Sequence, residues 1–239
     1  MGSLRAITYN IRKGKGASGR ASMAVDGVAR ALEQERVDLL LCQEVFHGSR
    51  RGPAQSQELA AILGLSHYYR ANKERRAGHH GNAVFTKYPV QAVHNHDVST
   101  NFIERRGVLY LKLDVDGTAL HVLNVHLGLS QRQRLTQIAR IAAIVREAVA
   151  VREPVILGGD FNDWNEKLDG IIVHELGFAN AAANLRREHR FTWHARRPMF
   201  NLDRIYLRNM RARHAECLHG HPWRDLSDHL PLAVDLEIE

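Results

Sequence analysis

A chain of 239 residues, 44% hydrophobic and 25% charged, is ordinary globular material with the length to bury an ample core. Its 33 Lys and Arg against 26 Asp and Glu, with a pI near 9.7, point to an anionic partner such as nucleic acid, a phosphorylated metabolite or a lipid headgroup surface. No apolar run approaches the roughly 18 residues of a membrane span, no signal-peptide hydrophobic region opens the chain, and Cys42 and Cys217 lack C-x-x-C spacing; a cytoplasmic location with reduced thiols is expected.

Residues 4–11 (L-R-A-I-T-Y-N-I) are β-branched and aromatic enough for a strand, with Asn10 at its end. A basic loop, residues 12–20, follows. It holds G-K-G-A-S-G, formally the G-x-G-x-x-G of a dinucleotide-binding turn, with Glu44 at the end of the next strand. The hairpins of the later chain argue against that fold, and a flexible basic loop beside an anion-binding cleft fits better. Ser22 can cap a helix whose apolar face is Val25, Val28, Ala29 and Leu32. Residues 37–42 (V-D-L-L-L-C) read as a buried strand that delivers Gln43 and Glu44. Residues 56–63 form a short helix stopped by Gly64, followed by a strand at Tyr68-Tyr69, a charged loop over 73–80 and a strand over 81–86 that contains Asn82.

The clearest hairpin pairs residues 108–115 with 119–127 across Asp116-Gly117, placing Leu109, Leu111, Leu113 and Val115 on one face and His126 at the end of the return strand. Ser130 then caps a helix reaching about residue 151. Its inward residues are Leu135, Ile138, Ala142, Val145 and Val149; Arg132, Arg134, Arg140 and Arg146 read as a solvated face. Residues 154–163 (P-V-I-L-G-G-D-F-N-D) are a buried strand closed by two glycines, which leave a ligand unobstructed, and a turn presenting Asp160 and Asn162. The same pair could instead make an Asx-turn with its own backbone. Residues 168–176 read as a helix ended by Gly177, and 191–194 and 200–207 as strands, the latter with Asp203 inside it. A polar insertion, L-S-D-H-L-P at 226–231, precedes the final strand at 232–238. With no repeat or linker, one domain over residues 1–239 is expected.

Gathered at one end of the strands, these residues could perform phosphoryl chemistry. Glu44, Asp160, Asp228, Asn10 and Asn162 offer only hard oxygen ligands, which suit Mg²⁺ or Mn²⁺. Asp203 beside His229 would orient an imidazole for a phosphate oxygen. Asp160 could deprotonate the attacking water, Asn162 hold that water, and His126 donate to the phosphate or the leaving oxygen. The basic residues Arg12, Lys13 and Arg204, with Asn82, are candidates to contact substrate.

The series T-Y-N-I, Q-E, N-V-H-L, G-D-F-N, L-D-R-I and S-D-H-L-P, in that order from first strand to last, resembles the endonuclease/exonuclease/phosphatase superfamily, whose fold is similar to that of deoxyribonuclease I. The resemblance implies a four-layer α/β sandwich, two face-to-face mixed sheets flanked by helices, and a metal-dependent phosphoester hydrolase; with the oxygen ligands above, an Mg²⁺- or Mn²⁺-dependent phosphodiesterase or nuclease, acting as a monomer, is expected. It also implies Glu44 as principal metal ligand with Asn10 and Asp228 nearby, Asp160 as base, and Asp203 with His229 as the phosphate-binding pair. The family's abasic-site endonucleases carry a tyrosine where this chain has His126, which tilts the resemblance toward the deoxyribonuclease, sphingomyelinase and inositol-phosphatase branches. Arg204 after Asp203 is similar to the branch of tyrosyl-DNA phosphodiesterases. Nucleic acid, a lipid headgroup and a small phosphoester all stay open as substrates. A zinc site at Cys217, His219 and His221 would lack a fourth ligand, and His174-Glu175 lacks the second histidine of a zinc protease.

Overall fold

The computed structural model describes residues 3–20, 25–48, 54–75 and 78–238. Two six-stranded mixed sheets are stacked. The first runs β11 (Met210–Cys217), β12 (Leu232–Ile238), β1 (Ser3–Asn10), β2 (Leu39–Gly48), β4 (Gly78–Thr86), β3 (Ser66–Arg75). The second runs β5 (Val90–Asp97), β6 (Gly107–Val115), β7 (Thr118–His126), β8 (Val155–Asp160), β10 (Asp203–Arg208), β9 (Ala179–Asn180). In each sheet the central pair, β1–β2 or β7–β8, is parallel and the flanking pairs are antiparallel. The two parallel pairs need crossover connections, which supply helix α1 (Asp26–Gln34) outside the first sheet and helix α3 (Gln131–Ala148) outside the second. Helix α2 (Gln55–Leu63) lies beside α1. Two short helices, α4 (Lys167–Gly170) and α5 (Trp223–Leu226), belong to the connections before β9 and β12.

Three apolar clusters define the layers, because the central strands bury both faces and their side chains alternate between two cores. Leu39 and Leu41 of β2 meet Leu109, Leu111, Leu113 and Ile156 of the other sheet, while Leu40 and Cys42 pack with Val28, Ala29, Leu32 and Leu59 of α1 and α2. On the far side Leu123, Val125 and Leu157 pack against Ile138, Ile141 and Val145 of α3. The expected four-layer sandwich is therefore the observed fold.

Several local expectations change. The hairpin turn at Asp116-Gly117 is as anticipated, both residues having positive φ, and Gly64 ends α2 in the left-handed conformation. Ser22 lies outside the described residues. Within the charged stretch expected as a loop, residues 73–75 and 78–80 are paired strand. On α3, Ser130 caps through Gln133, but Leu135 is 40% exposed and Arg134 is only 4% exposed. Arg134 leaves the expected solvated face because its guanidinium donates to Leu129 O (2.6 Å) and faces Asp163 (3.7 Å). Residues 191–194 are not a strand; Trp193 makes isolated bridges to Phe200 and His229. The glycine pair does not close β8 either. Strand pairing continues to Asp160, and a Cβ on Gly159 would lie 2.0 Å from Val125 O, so this glycine serves the close approach of β7 and β8 rather than a ligand.

Candidate active site

Both central parallel pairs end at the same edge of the sandwich, so Asn10 and Glu44 from one sheet meet His126 and Asp160 from the other. Asn10 Nδ2 donates to Asp160 Oδ2 at 3.0 Å, joining the sheets, and Asn10 Oδ1 accepts from Arg12 N at 3.1 Å. Asp160 Oδ1 accepts from Asn162 N at 2.9 Å, and Asn162 Nδ2 donates to Leu127 O at 2.9 Å. The Asx-turn and the site are thus the same arrangement. The 226–231 insertion is pinned by Ser227, whose hydroxyl donates to Asn10 O at 2.6 Å. This brings His229 Nδ1 to 2.8 Å from Asp203 Oδ2 and Nε2 to 3.8 Å from Asp160 Oδ2.

Glu44 reaches the cleft by a backbone irregularity. The β2–β4 register slips between Cys42 and Val45, and Glu44 has φ +55°, so the bulge turns its carboxylate out of the strand's alternation. Of the eight non-glycine residues with positive φ among the described residues, Arg12, Lys13, Glu44 and Asn162 are all at this site. Strained backbone gathers where side chains must be aimed. Under the site, a buried polar bridge fixes the spacing of the sheets: Gln43 Nε2 donates to Asn124 Oδ1 (2.8 Å), and Asn124 Nδ2 donates to Cys42 O and Ala83 O.

Electrostatics assign different charge states to the two histidines. Burial works against charge on His229, but Asp203 and Asp160 outweigh it and raise the imidazole to about 10. His126 is pushed well below its ordinary value by burial and by the positive charges of Arg106 and His229. At neutral pH His229 is therefore a cation and His126 a neutral ring, 3.5 Å from Asp160 Oδ2 through Nε2. Burial raises Asp160 to about 6, against the opposing pull of His229. Glu44 sits below the usual carboxylate range, because Lys13, with its charge and hydrogen bond, overcomes the cost of burial.

The oxygen-rich side of the site suits a hard dication. Lys13 forms an ion pair with Glu44, and Arg12 Nε stands 3.3 Å from Asp228 Oδ2, so both carboxylates expected to hold metal already attract a cation of the chain itself. The compact group of Asp160, Asp203 and His229 is less suited, since the His229 ring is protonated and its Nδ1 is engaged by Asp203. Lys13 and Asn82 line a cleft of about 380 Å³ reaching from Glu44 and His126 to Lys73 and Arg105. Arg204 does not. It is 1% exposed, bonded to Asp163 at 3.1 Å and to Asn201 O at 3.0 Å, so substrate contact is corrected to a brace beneath the site. The zinc reading also fails, because Cys217 is buried with its thiol directed to Phe191 O, while His221 projects into solvent from beyond the strand.

Gln43, Asn124 and Ser227 were within the sequence motifs, yet no role for them was readable. Their partners across the fold are 35 to 217 residues away, and only the folded chain shows them as the site's supports.

The sequence matches the model of the Endonuclease/Exonuclease/phosphatase family over residues 7–229. It is 33% identical over 247 aligned positions, covering 99% of this chain and 97% of the other, to the Escherichia coli K12 protein named Uncharacterized protein YbhP. The fold is similar to an endonuclease/exonuclease/phosphatase from Bacteroides vulgatus (TM-score 0.83, 21% identity, all of both chains). It is also similar to the Bacteroides thetaiotaomicron mannosyl-6-phosphatase (0.77, 15%, 98% of this chain and all of the other) and to humanized D. rerio TDP2 (0.76, 18%, 98% and 99%).

Proposed function

The chain belongs to the endonuclease/exonuclease/phosphatase family, and from that premise we propose that it is an Mg²⁺- or Mn²⁺-dependent phosphodiesterase, acting as a single-domain monomer in the cytoplasm. The observation that carries the reading is the opposition of Asp160, raised to about 6, and a protonated His229 held by Asp203, both buried at one cleft edge. A base with that value is mostly ionised at neutral pH and still accepts a proton, so Asp160 can take one from an attacking water. Asn162 and Asn10 hold its carboxylate in place. The His229 imidazolium is aimed by Asp203 so that Nε2 can donate to a phosphoryl oxygen and stabilise charge developing there. His126, neutral, binds a second oxygen as a hydrogen-bond donor.

Glu44, with Asn10 and Asp228, would hold the metal, which would polarise the phosphoryl group and offset its negative charge. In that state Lys13 would be freed from Glu44 to face the substrate. No helix among the described residues is long and apolar enough to cross a membrane. The test is hydrolysis by the purified protein, with Mg²⁺ or Mn²⁺, of bis-p-nitrophenyl phosphate, single- and double-stranded nucleic acid, phosphodiester lipids and sugar phosphates. Turnover confined to phosphomonoesters, or unaffected by a chelator, would overturn the assignment.

A further inference from the structure

The loop over residues 99–106, between β5 and β6, is tied down at several points yet turns its largest apolar side chains to water. Arg140 Nη1 of α3 donates to Ser99 O at 2.9 Å, Lys73 Nζ of β3 to Ile103 O at 3.0 Å, and Gln133 Nε2 to Glu104 Oε2 at 2.8 Å. Asn101 Oδ1 accepts from the backbone of Ile103 and Glu104 at 3.0 and 2.7 Å. On this fixed loop Phe102 is 83% exposed and Ile103 68%. Leu129, 61% exposed, belongs to the same rim, since the adjacent Ser130 lines a shallow depression together with Thr100 and Asn101. A braced loop that keeps such residues outside is displaying them.

The display is surrounded by positive charge. Lys15, Lys73, Arg105 and Arg106 line the cleft on one side of the loop, and Arg132 and Arg140 line a shallow depression on the other, with Thr100 and Asn101. Of the nearby acids, Glu104 is held by Arg106 and Gln133, and Asp97 by Arg105. Apolar tips within a cationic ring are complementary to an anionic bilayer: the side chains enter the acyl boundary while lysines and arginines meet the headgroups.

We propose that this rim docks on the surface of an anionic phospholipid bilayer and brings headgroup phosphodiesters to the cleft. The identity of the substrate rests on the phosphodiesterase reading above; the docking surface does not. A nucleic acid strand would also meet the charge, and Phe102 could stack on a base, but Ile103 and Leu129 are aliphatic and provide no stacking face. A second copy of the chain is disfavoured, because a two-fold contact would set one cationic ring against another.

The test is sedimentation of the wild-type protein and the F102S/I103S double variant with vesicles of phosphatidylcholine, alone or mixed with phosphatidylglycerol, alongside an assay on bis-p-nitrophenyl phosphate. Wild type should bind the anionic vesicles and bind them less in high salt; the variant should lose at least about tenfold in affinity and in release of phosphorylated headgroup, with an unchanged melting temperature and unchanged turnover of the soluble ester. No binding by wild type, or equal binding by the variant, would overturn the docking surface. So would a variant that binds vesicles normally but loses affinity for a single-stranded oligonucleotide. Vesicle binding by a protein that leaves bis-p-nitrophenyl phosphate intact would support the surface and remove only the reaction.

Discussion

Asp203→Asn tests the chemistry with little change of shape. The carboxylate lies 2.8 Å from His229 Nδ1 and is fully buried, while Asp160 is farther from the ring at 3.8 Å. Raising an imidazole from its ordinary value to about 10 represents several kcal/mol in favour of the cation, at about 1.4 kcal/mol per tenfold. Removing the nearest of the three carboxylates that raise the ring should bring it down by roughly two pH units, with burial then working against protonation. Turnover on a soluble diester should fall by roughly 10² or more, the scale of one lost donor to a transition state. The alkaline limb of kcat should move from near pH 10 toward neutrality.

Stability should carry the same signature. His229 is raised on folding, so its contribution is complete below the unfolded value near 6.5 and is lost as pH climbs toward 10. The melting-temperature deficit of Asp203→Asn should therefore be largest in mild acid and shrink with rising pH. His229→Ala should match it in turnover, and the double variant should be little worse than either, as for groups acting as a unit. Full turnover per folded molecule in His229→Ala, or an alkaline limb that Asp203→Asn leaves in place, would refute the pairing of these residues as a catalytic device.

Glu44→Gln should raise the Mg²⁺ concentration for half-maximal activity and blunt any Mg²⁺-induced rise in melting temperature, because an amide is a poor ligand for a hard dication; titrations superimposable on wild type would remove Glu44 from the metal. Arg204→Met leaves Asp163 buried without its closest cation, 3.1 Å away, and should cost about 3–5 kcal/mol, read as a melting temperature lower by roughly 10 °C. A shift under about 2 °C would mean that Arg134 suffices as partner. Gly159→Ala should yield little folded protein because of the 2.0 Å approach to Val125 O, whereas Gly170→Ala, with nothing within 4 Å, should fold normally; equal yields would contradict the strand contact.

What could be read in the sequence follows from how local each signal is. Asp116-Gly117 between alternating strands, Ser130 before a helical period, and Gly64 after one are set by neighbours in the chain, and each holds in the fold. The polar residues at strand ends were legible too, because Asn10, Glu44, His126 and Asp160 interrupt or terminate apolar runs that have no use for them. Arg204 and Arg134 defeated the same logic. Arg134 on its helix reads as a solvated cation and Arg204 on its strand as a substrate contact until a distant carboxylate claims them, and one residue, Asp163, claims both. Asp163 follows Asn162 directly, so the turn that holds the reacting groups is itself anchored by two buried guanidiniums and by its bond from Leu168 N. This explains the asymmetry in the motif G-D-F-N-D: Asp160, held by Asn10 and the Asn162 backbone, meets His126 and His229, while the neighbouring Asp163 fixes the turn to the scaffold. On the proposed reading, a carboxylate raised to about 6 serves as base best if its position does not relax on ionising, so the buried pairs around Asp163 would serve that chemistry as well as stability.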